Sequence, residues 1–486
     1  MRRNALAGQL LLLFLVQACP TAKEVQTPDA GPATCDGSAS CLLECPPDAE
    51  IDLCGECDGE NRAKDCHGVC FGLARVDECG FCTDVPVPEC DPPVVLAALQ
   101  AGSGDHFGES VALDGDSALI GAVYDGEGGE KSGAAYTFVR RPDGWLLQQK
   151  LVADDAKAND KFGYAVAISG DTALVGAYSD DDHGGNRGSS YIFERQAGEW
   201  EQRIELAPPS EPDELFYFGI AVALDGDTAL IGARRYRADV AIEGVDCYSG
   251  SAFAYLREAT GWRLQGVLEA ADSSGCDRFG DKVAIESDTA VVGAPAYWAH
   301  PEMDAVSASA YLFTRQGEQW SQQARLMPDS RIAGVKFGSS VAIDGDTVIV
   351  GANLEEQTDR YQGSAYVFTR EGDAWSLQSR LRASDTAAGS FFGIAVDVSS
   401  DIAVVGAPFG SPAQGFRSGA AYVFVRSDTE WAERAKLMDL VRPEYDWYGW
   451  NVATSLDAVL VGAEPSGAAQ IHRLPPAVTA GAAPVR

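Results

Sequence analysis

The 486-residue sequence predicts an all-β chain, a seven-bladed β-propeller preceded by a small disulfide-rich segment, and three observations carry that prediction. A Phe-Gly pair opens seven copies of one unit, at Phe107, Phe162, Phe218, Phe279, Phe337 and Phe392 and as Tyr-Gly at Tyr448, spaced 55 to 61 residues apart. A Gly-Ala pair follows each aromatic at a fixed offset of fourteen, at Gly121, Gly176, Gly232, Gly293, Gly351, Gly406 and Gly462. Around these pairs, in "VALDGDSALIGA" and "GAAYTFV", apolar and polar residues alternate with period two, and Val, Ile, Tyr and Phe hold the inward positions, which is strand chemistry. A repeat of this length is one supersecondary unit that buries its apolar faces only by stacking on its neighbours.

The elements of a copy follow in order. The first strand starts at the Phe-Gly pair and ends in a tight turn of the Asp-Gly kind, as in "LDGDT" at Leu224 to Thr228, where Gly supplies the positive φ of a two-residue hairpin. The second strand ends at Gly-Ala, and a loop of variable length leads to a third, which reads "SGAAYTF", "RGSSYIF", "SASAYLF" or "QGSAYVF". A short polar turn then gives a fourth, marked by a Trp with a Leu six residues on: Trp145 and Leu151, Trp200 and Leu206, Trp262 and Leu268, Trp320 and Leu326, Trp375 and Leu381, Trp431 and Leu437. Seven such sheets arranged radially protect their edges by closing the ring. The seventh copy stops after its third strand, "SGAAQIHRL", and lacks a Trp strand. Elsewhere a Leu lies 11 or 12 residues before the next aromatic, and eleven before Phe107 is Leu96. Residues 93 to 99 are therefore expected to complete the last blade beside residues 467 to 473 and to latch the ring.

Over roughly residues 92 to 474 this combination of Phe-Gly with "ALIGA", "ALVGA" or "VVGAP" resembles the FG-GAP repeat, best known from the seven-bladed head of integrin α chains and from many bacterial surface proteins. The resemblance implies a propeller and, in integrins, a ligand surface on one face with calcium loops on the other. Those calcium loops, of the form D-x-D-x-D-G-x-x-D, lie between the first two strands, where this chain has only "LDGDS", "ISGDT", "LDGDT", "IESDT", "IDGDT", "VSSDI" and "TSLDA". A two-residue turn does not gather six or more oxygens around Ca²⁺. The recurring Asp116, Asp171, Asp227, Asp288, Asp346, Asp401 and Asp457 read as turn formers that bond nearby backbone. If a metal binds, calcium is the cofactor expected, in "SDDDHGGN", where Asp180 and Asp182 have alternate spacing and Gly184 permits a sharp turn.

Residues 1–19 carry two Arg and an apolar run from Leu10 to Val16, too short to span a bilayer, and read as a secretory signal. Val16-Gln17-Ala18-Cys19 resembles a bacterial lipoprotein cleavage box, which implies a lipidated Cys19; the alternative is an ordinary signal with a spare Cys. Residues 20–34, rich in Pro, Thr and Ala, form a flexible linker. Ten of the 13 Cys fall in residues 35–91, where "DLCGECDG" and "DECGFCTD" stand 25 residues apart. An even count in an exported segment reads as a disulfide-stapled stalk of open connectivity. A four-thiolate zinc site at Cys54, Cys57, Cys79 and Cys82 is the alternative. Cys247 and Cys276 fall in loops of one face and are expected to form a disulfide. The propeller spans residues 92–474, and residues 475–486 are expected to be a disordered tail.

A net charge of −35, from 72 acidic and 37 basic residues, makes nucleic acid and anionic lipid head groups poor partners. The acidic residues keep an exported protein soluble. Loops between second and third strands and between blades share one face, are long and differ from one another, and variable loops on a rigid frame are where function concentrates. Tyr236, Tyr297, Trp298, Tyr445 and Trp447 are the candidate ligand contacts there, against the alternative that they pack loops together. The five His are scattered, and no G-x-S-x-G, H-E-x-x-H or P-loop string occurs, so no catalytic residue is assigned. The expected function is a lipid-anchored, surface-displayed, monomeric module that binds an extracellular glycan or protein and is not an enzyme. The alternatives are a secreted propeller hydrolase or lyase acting on polysaccharide, and a structural component of an envelope complex.

Overall fold

In a computed structural model of the chain, the described residues are 75–76, 81–83, 92–98 and 104–479 except 183–184, 186, 210–215, 237–239, 243–244, 274–275, 297–307, 330–334, 357–360, 386–387, 411–418, 440–446 and 465–466. All belong to one unit, Ile51–Arg486. Seven antiparallel blades follow the seven copies. The first comprises Phe107–Asp114, Ser117–Ala122, Ala134–Arg141 and Gly144–Leu151, paired in that order. Its second strand is buried at every position, and its fourth only at Leu151. Alternate residues of the second strand face opposite neighbours. Ala118 and Ile120 pack with Leu460 of the seventh blade, whereas Leu119 packs with Val175 of the second. The core therefore lies between blades, and period-two apolar patterning without a polar face is what a strand sandwiched on both sides requires.

The ring closes as the Leu spacing predicts. Val94–Leu96 pairs antiparallel with Ala468–Arg473, Val94 opposite Ile471 and Leu96 opposite Ala469, and Leu96 is 2% exposed. Two additions were not read from the sequence. The short strands Arg75–Val76 and Phe81–Thr83 extend the sixth blade outward, with Phe81 opposite Leu437. Pro476–Thr479 forms a helical turn whose Val478 packs beside Leu474, so the segment expected as a disordered tail begins ordered. The lipidation site Cys19 and the remaining stalk cysteines lie outside the described residues.

The fixed offset of fourteen has a steric cause. The glycine of each Gly-Ala pair faces the glycine carbonyl of the next blade's Phe-Gly pair: a Cβ on Gly121 would sit 1.9 Å from the Gly163 oxygen, and one on Gly462 would sit 2.3 Å from that of Gly108. The remaining five junctions repeat the contact. Any side chain there would push two blades apart.

The turn aspartates also anchor arginines. Six of the seven accept a hydrogen bond from the Nε of an Arg ending the third strand of the same blade: Arg140 to Asp116 at 2.5 Å, Arg195 to Asp171 at 2.7 Å, and likewise Arg257 to Asp227, Arg315 to Asp288, Arg370 to Asp346 and Arg426 to Asp401. The seventh, Asp457, accepts from Arg140 of the first blade at 2.9 Å, across the closing junction. Each Arg lies over the following Trp, 4.9 to 5.9 Å from a ring centroid. Several reach back a blade, as Arg195 does to Ser117 and Arg315 to Thr228. Most of these carboxylates are exposed, so each pair contributes little energy; it holds the Arg in place within its own blade, and the contacts back to the preceding blade are what tie blades together.

Inter-blade contacts are also made at the ends of first strands, where Asp114 accepts from the Gly170 amide and Asp225 from that of Ser287. The sixth blade does this from an earlier position. Asp397 stands where the other copies have Ala112, Ala167, Ala223, Ala284, Ala342 and Ala453, and it accepts from the Thr454 amide at 2.6 Å. Burial, aided by Asp344, pushes its carboxyl up to about 7 against the opposing hydrogen bonds of Thr454 and Val398. The folded carboxyl thus keeps its proton to higher pH than the unfolded one, whose ordinary value is 3.8. Its stabilising contribution is complete below about pH 4 and is lost as pH rises through about 7. Asp397→Asn is expected to raise stability by on the order of 1–2 kcal/mol at about pH 8 and to leave it unchanged at about pH 4. Denaturant titration at both pH values checks this, and equal effects at the two would contradict it.

Candidate functional site

A tight turn brings each inter-blade segment to the propeller axis. In six turns the residue before the aromatic is left-handed without being glycine: His106, Lys161, Tyr217, Arg278, Lys336 and Phe391 have φ between 49° and 59°. Its carbonyl accepts the amide three residues on, as His106 does from Glu109 and Lys336 from Ser339. Such backbone costs about 1–2 kcal/mol per residue and persists where the surroundings over-determine it. The turn delivers the residue after each Phe-Gly pair to the axis. Six of these, Glu109, Tyr164, Asp281, Ser339, Ile394 and Trp450, line one cavity of 510 Å³, within the range of small-ligand sites. Parallel bridges such as Gly133 to Phe162 and Gly363 to Phe392 hold the variable loops beside these turns, so loops and cavity share a face.

The cavity has two sectors. One is cationic: Arg234, Arg278, Lys282 and Lys336 line it against the carboxylates of Glu109 and Asp281, an inversion of the charge of the whole chain. Arg234 pairs with Asp281 at 2.8 Å. Burial pushes the Asp281 carboxyl up, but Arg234, Lys282 and Arg278 outweigh it and hold the group below its ordinary value. Among the described residues Lys336 makes no ion pair; burial, with Arg278 and Arg234 nearby, holds its ammonium below its ordinary value, and Asp281 offsets part of that. Beside them Asn353, 5% exposed, leaves its side-chain oxygen without a hydrogen-bond partner.

The other sector is aromatic. An adjoining cavity of 160 Å³ shares Glu109, Tyr164 and Trp450 and adds Tyr178 and Trp447. Tyr164 and Tyr178 lie 4.5 Å apart, Trp447 and Trp450 lie 5.4 Å apart, and the Lys161 Nζ donates to the Tyr178 hydroxyl at 2.7 Å.

Of the sequence candidates, Trp447 stands at this rim. Tyr236 packs against Phe216 and Phe253, with centroids 5.0 and 5.4 Å away, partly buried at the edge of the core between the second and third blades. Tyr297, Trp298 and Tyr445 lie outside the described residues. Asp180 is buried and accepts from the Tyr191 hydroxyl and the Asp182 amide, while Asp182 pairs with Lys157. In the first, fourth, fifth and sixth blades a buried or loop carboxylate is met by a base from the fourth strand, as Asp125 by Lys150 and Asp385 by Lys436; the second blade has Glu205 at that place. Among the described residues no group of three or more His, Cys, Asp or Glu is placed to hold a metal ion. Cys276 is disulfide-bonded, and the side chain of Cys247 lies outside the described residues. Their segments run side by side, since Arg278 and Phe279 donate to the Tyr248 and Ser249 carbonyls at 3.2 and 2.8 Å.

The axial positions were missed in the sequence because they do not repeat: the Phe-Gly pair recurs, and the residue after it takes six identities in seven copies. That non-repeating residue was the available signal.

The sequence profile of the FG-GAP repeat matches residues 94–138, 145–193, 200–255, 262–313, 320–368 and 375–424. No curated protein sequence matches the chain. A solved structure, that of Saccharomyces cerevisiae Sqt1, is 8% identical, covers 78% of this chain and 98% of its own, and superimposes with a TM-score of 0.42.

Proposed function

The chain belongs to the FG-GAP repeat family, and from that premise we propose that it is a binding module whose loop face takes an extracellular ligand at the propeller axis. One observation carries this reading: six blades each place a different side chain in one 510 Å³ cavity, which makes the chemistry of the site variable on a fixed frame. Asp281, whose carboxyl is kept ionised beside Arg234, is a poor general acid at neutral pH. The signal-like residues 1–19 with Cys19 and the ten stalk cysteines support an exported, lipid-anchored, monomeric protein held off the membrane by the stalk, its cell-surface side carrying the loops. In the same reading Cys247 is the partner of Cys276 and rigidifies the longest variable loop.

The test is an array of glycans and extracellular proteins probed with the purified full chain, alongside fractionation of cells carrying Cys19→Ser. Saturable binding without release of new reducing ends, with the variant lost from the membrane fraction, is expected. Ligand cleavage, or a soluble cytoplasmic protein, would overturn the reading.

A further inference from the structure

We infer that the axial cavity recognises a carboxylate-bearing sugar unit of an acidic saccharide, with the carboxylate on Lys336 and Arg278 and a ring hydroxyl on Asn353. This rests on the binding-module reading and gives its ligand a chemistry.

Four features converge on it. The cavity gathers four cationic side chains against two carboxylates in a chain with twice as many acids as bases. One of those carboxylates, Asp281, is already engaged by Arg234 at 2.8 Å, so Lys336, without an ion pair among the described residues, is left to meet an anion from outside. Buried polar groups are normally satisfied, yet the Asn353 oxygen is buried without a partner. As an acceptor it needs a donor, which a sugar hydroxyl supplies and a bare inorganic anion does not. The aromatic sector, Tyr164 and Trp450, offers flat faces for the C–H surface of a pyranose ring. The negative charge over the remainder of the chain then acts as selectivity: a polyanion is repelled from the outer surface and attracted only where field lines from the cations emerge at the axis.

Titration calorimetry of the full chain with a hexamer of galacturonic acid tests this, with its methyl ester, a sulfated hexasaccharide and a hexa-aspartate peptide as comparison ligands. The uronate is expected to bind at least about tenfold more tightly than its methyl ester, since charge-assisted hydrogen bonds carry that difference. Lys336→Met should weaken binding about tenfold and Asn353→Ala about fivefold, whereas Lys336→Arg, which keeps the charge, should stay within about threefold. Circular dichroism melts of the variants report folding separately. Equal affinity for the methyl ester, an unchanged Kd in a folded Lys336→Met, or tighter binding of the sulfated sugar or the peptide would overturn the inference. A chain that ignores uronate but binds a neutral glycan or a protein on the array sinks this inference and leaves the binding module standing. Absence of any binding removes both.

Discussion

Gly462→Ala is expected to destabilise the protein by about 3 kcal/mol or more, with a lower denaturation midpoint and unchanged far-ultraviolet dichroism below it. The added methyl would lie 2.3 Å from the Gly108 carbonyl oxygen, at the junction where the seventh blade meets the first. Neither partner yields easily, because both contacts are with backbone: Gly462 is paired with Ala469 inside the seventh sheet, and Gly108 is held in the first strand next to Phe107, which pairs with Ala122. Two other glycines isolate the cause. A Cβ on Gly266 would meet nothing nearer than Trp320 Cδ1 at 3.4 Å, so Gly266→Ala is expected to be nearly neutral. Gly226 has open space but φ +53°, so its alanine variant should lose only about 1–2 kcal/mol. If all three variants lose the same stability, close blade approach is not what the repeated glycines serve.

Deleting residues 92–98 should have the other large effect. It removes Leu96 from a core cluster and leaves the backbone of Ala468–Arg473 as an exposed edge beside buried Ile471 and Ala469. The shortened chain is expected to unfold at a much lower midpoint and to self-associate through that edge. A synthetic peptide spanning residues 92–99 should restore the midpoint in proportion to the logarithm of its concentration, as a ligand of the native state does. Leu96→Ala alone should lose about 2–5 kcal/mol. A deletion variant that stays monomeric and melts like the parent would mean that the ring does not depend on its latch.

Legibility in the sequence followed how often a constraint is repeated. Blade count, strand order and latch were readable because the Gly–Gly contact and the Leu ending each fourth strand recur at fixed offsets, forced by the same packing at every junction. The turn aspartates were readable as turn residues, but not their arginine partners, because Arg140 and its equivalents lie 24 to 30 residues away, across the variable loop. For Tyr236 the sequence left both a ligand contact and local packing open, because a loop position does not show that an aromatic leaving the second strand packs on Phe253. The axial cavity was hidden for a different reason. Its chemistry is made by residues that differ between copies, and a charge of −35 summed over the chain conceals four local cations that only the ring brings together.

Amine-reactive labelling of the full chain, read by mass spectrometry with and without saturating galacturonate hexamer, tests the axial site most directly. Lys336 and Lys282 line the cavity, whereas the Lys157 side chain is 58% exposed on an outer loop and paired with Asp182. The expected result is slower labelling of both axial lysines, by about tenfold at Lys336, with Lys157 unchanged. Protection of Lys157, with Lys336 reacting at its ligand-free rate, would place the ligand on the outer loops and contradict an axial binding site.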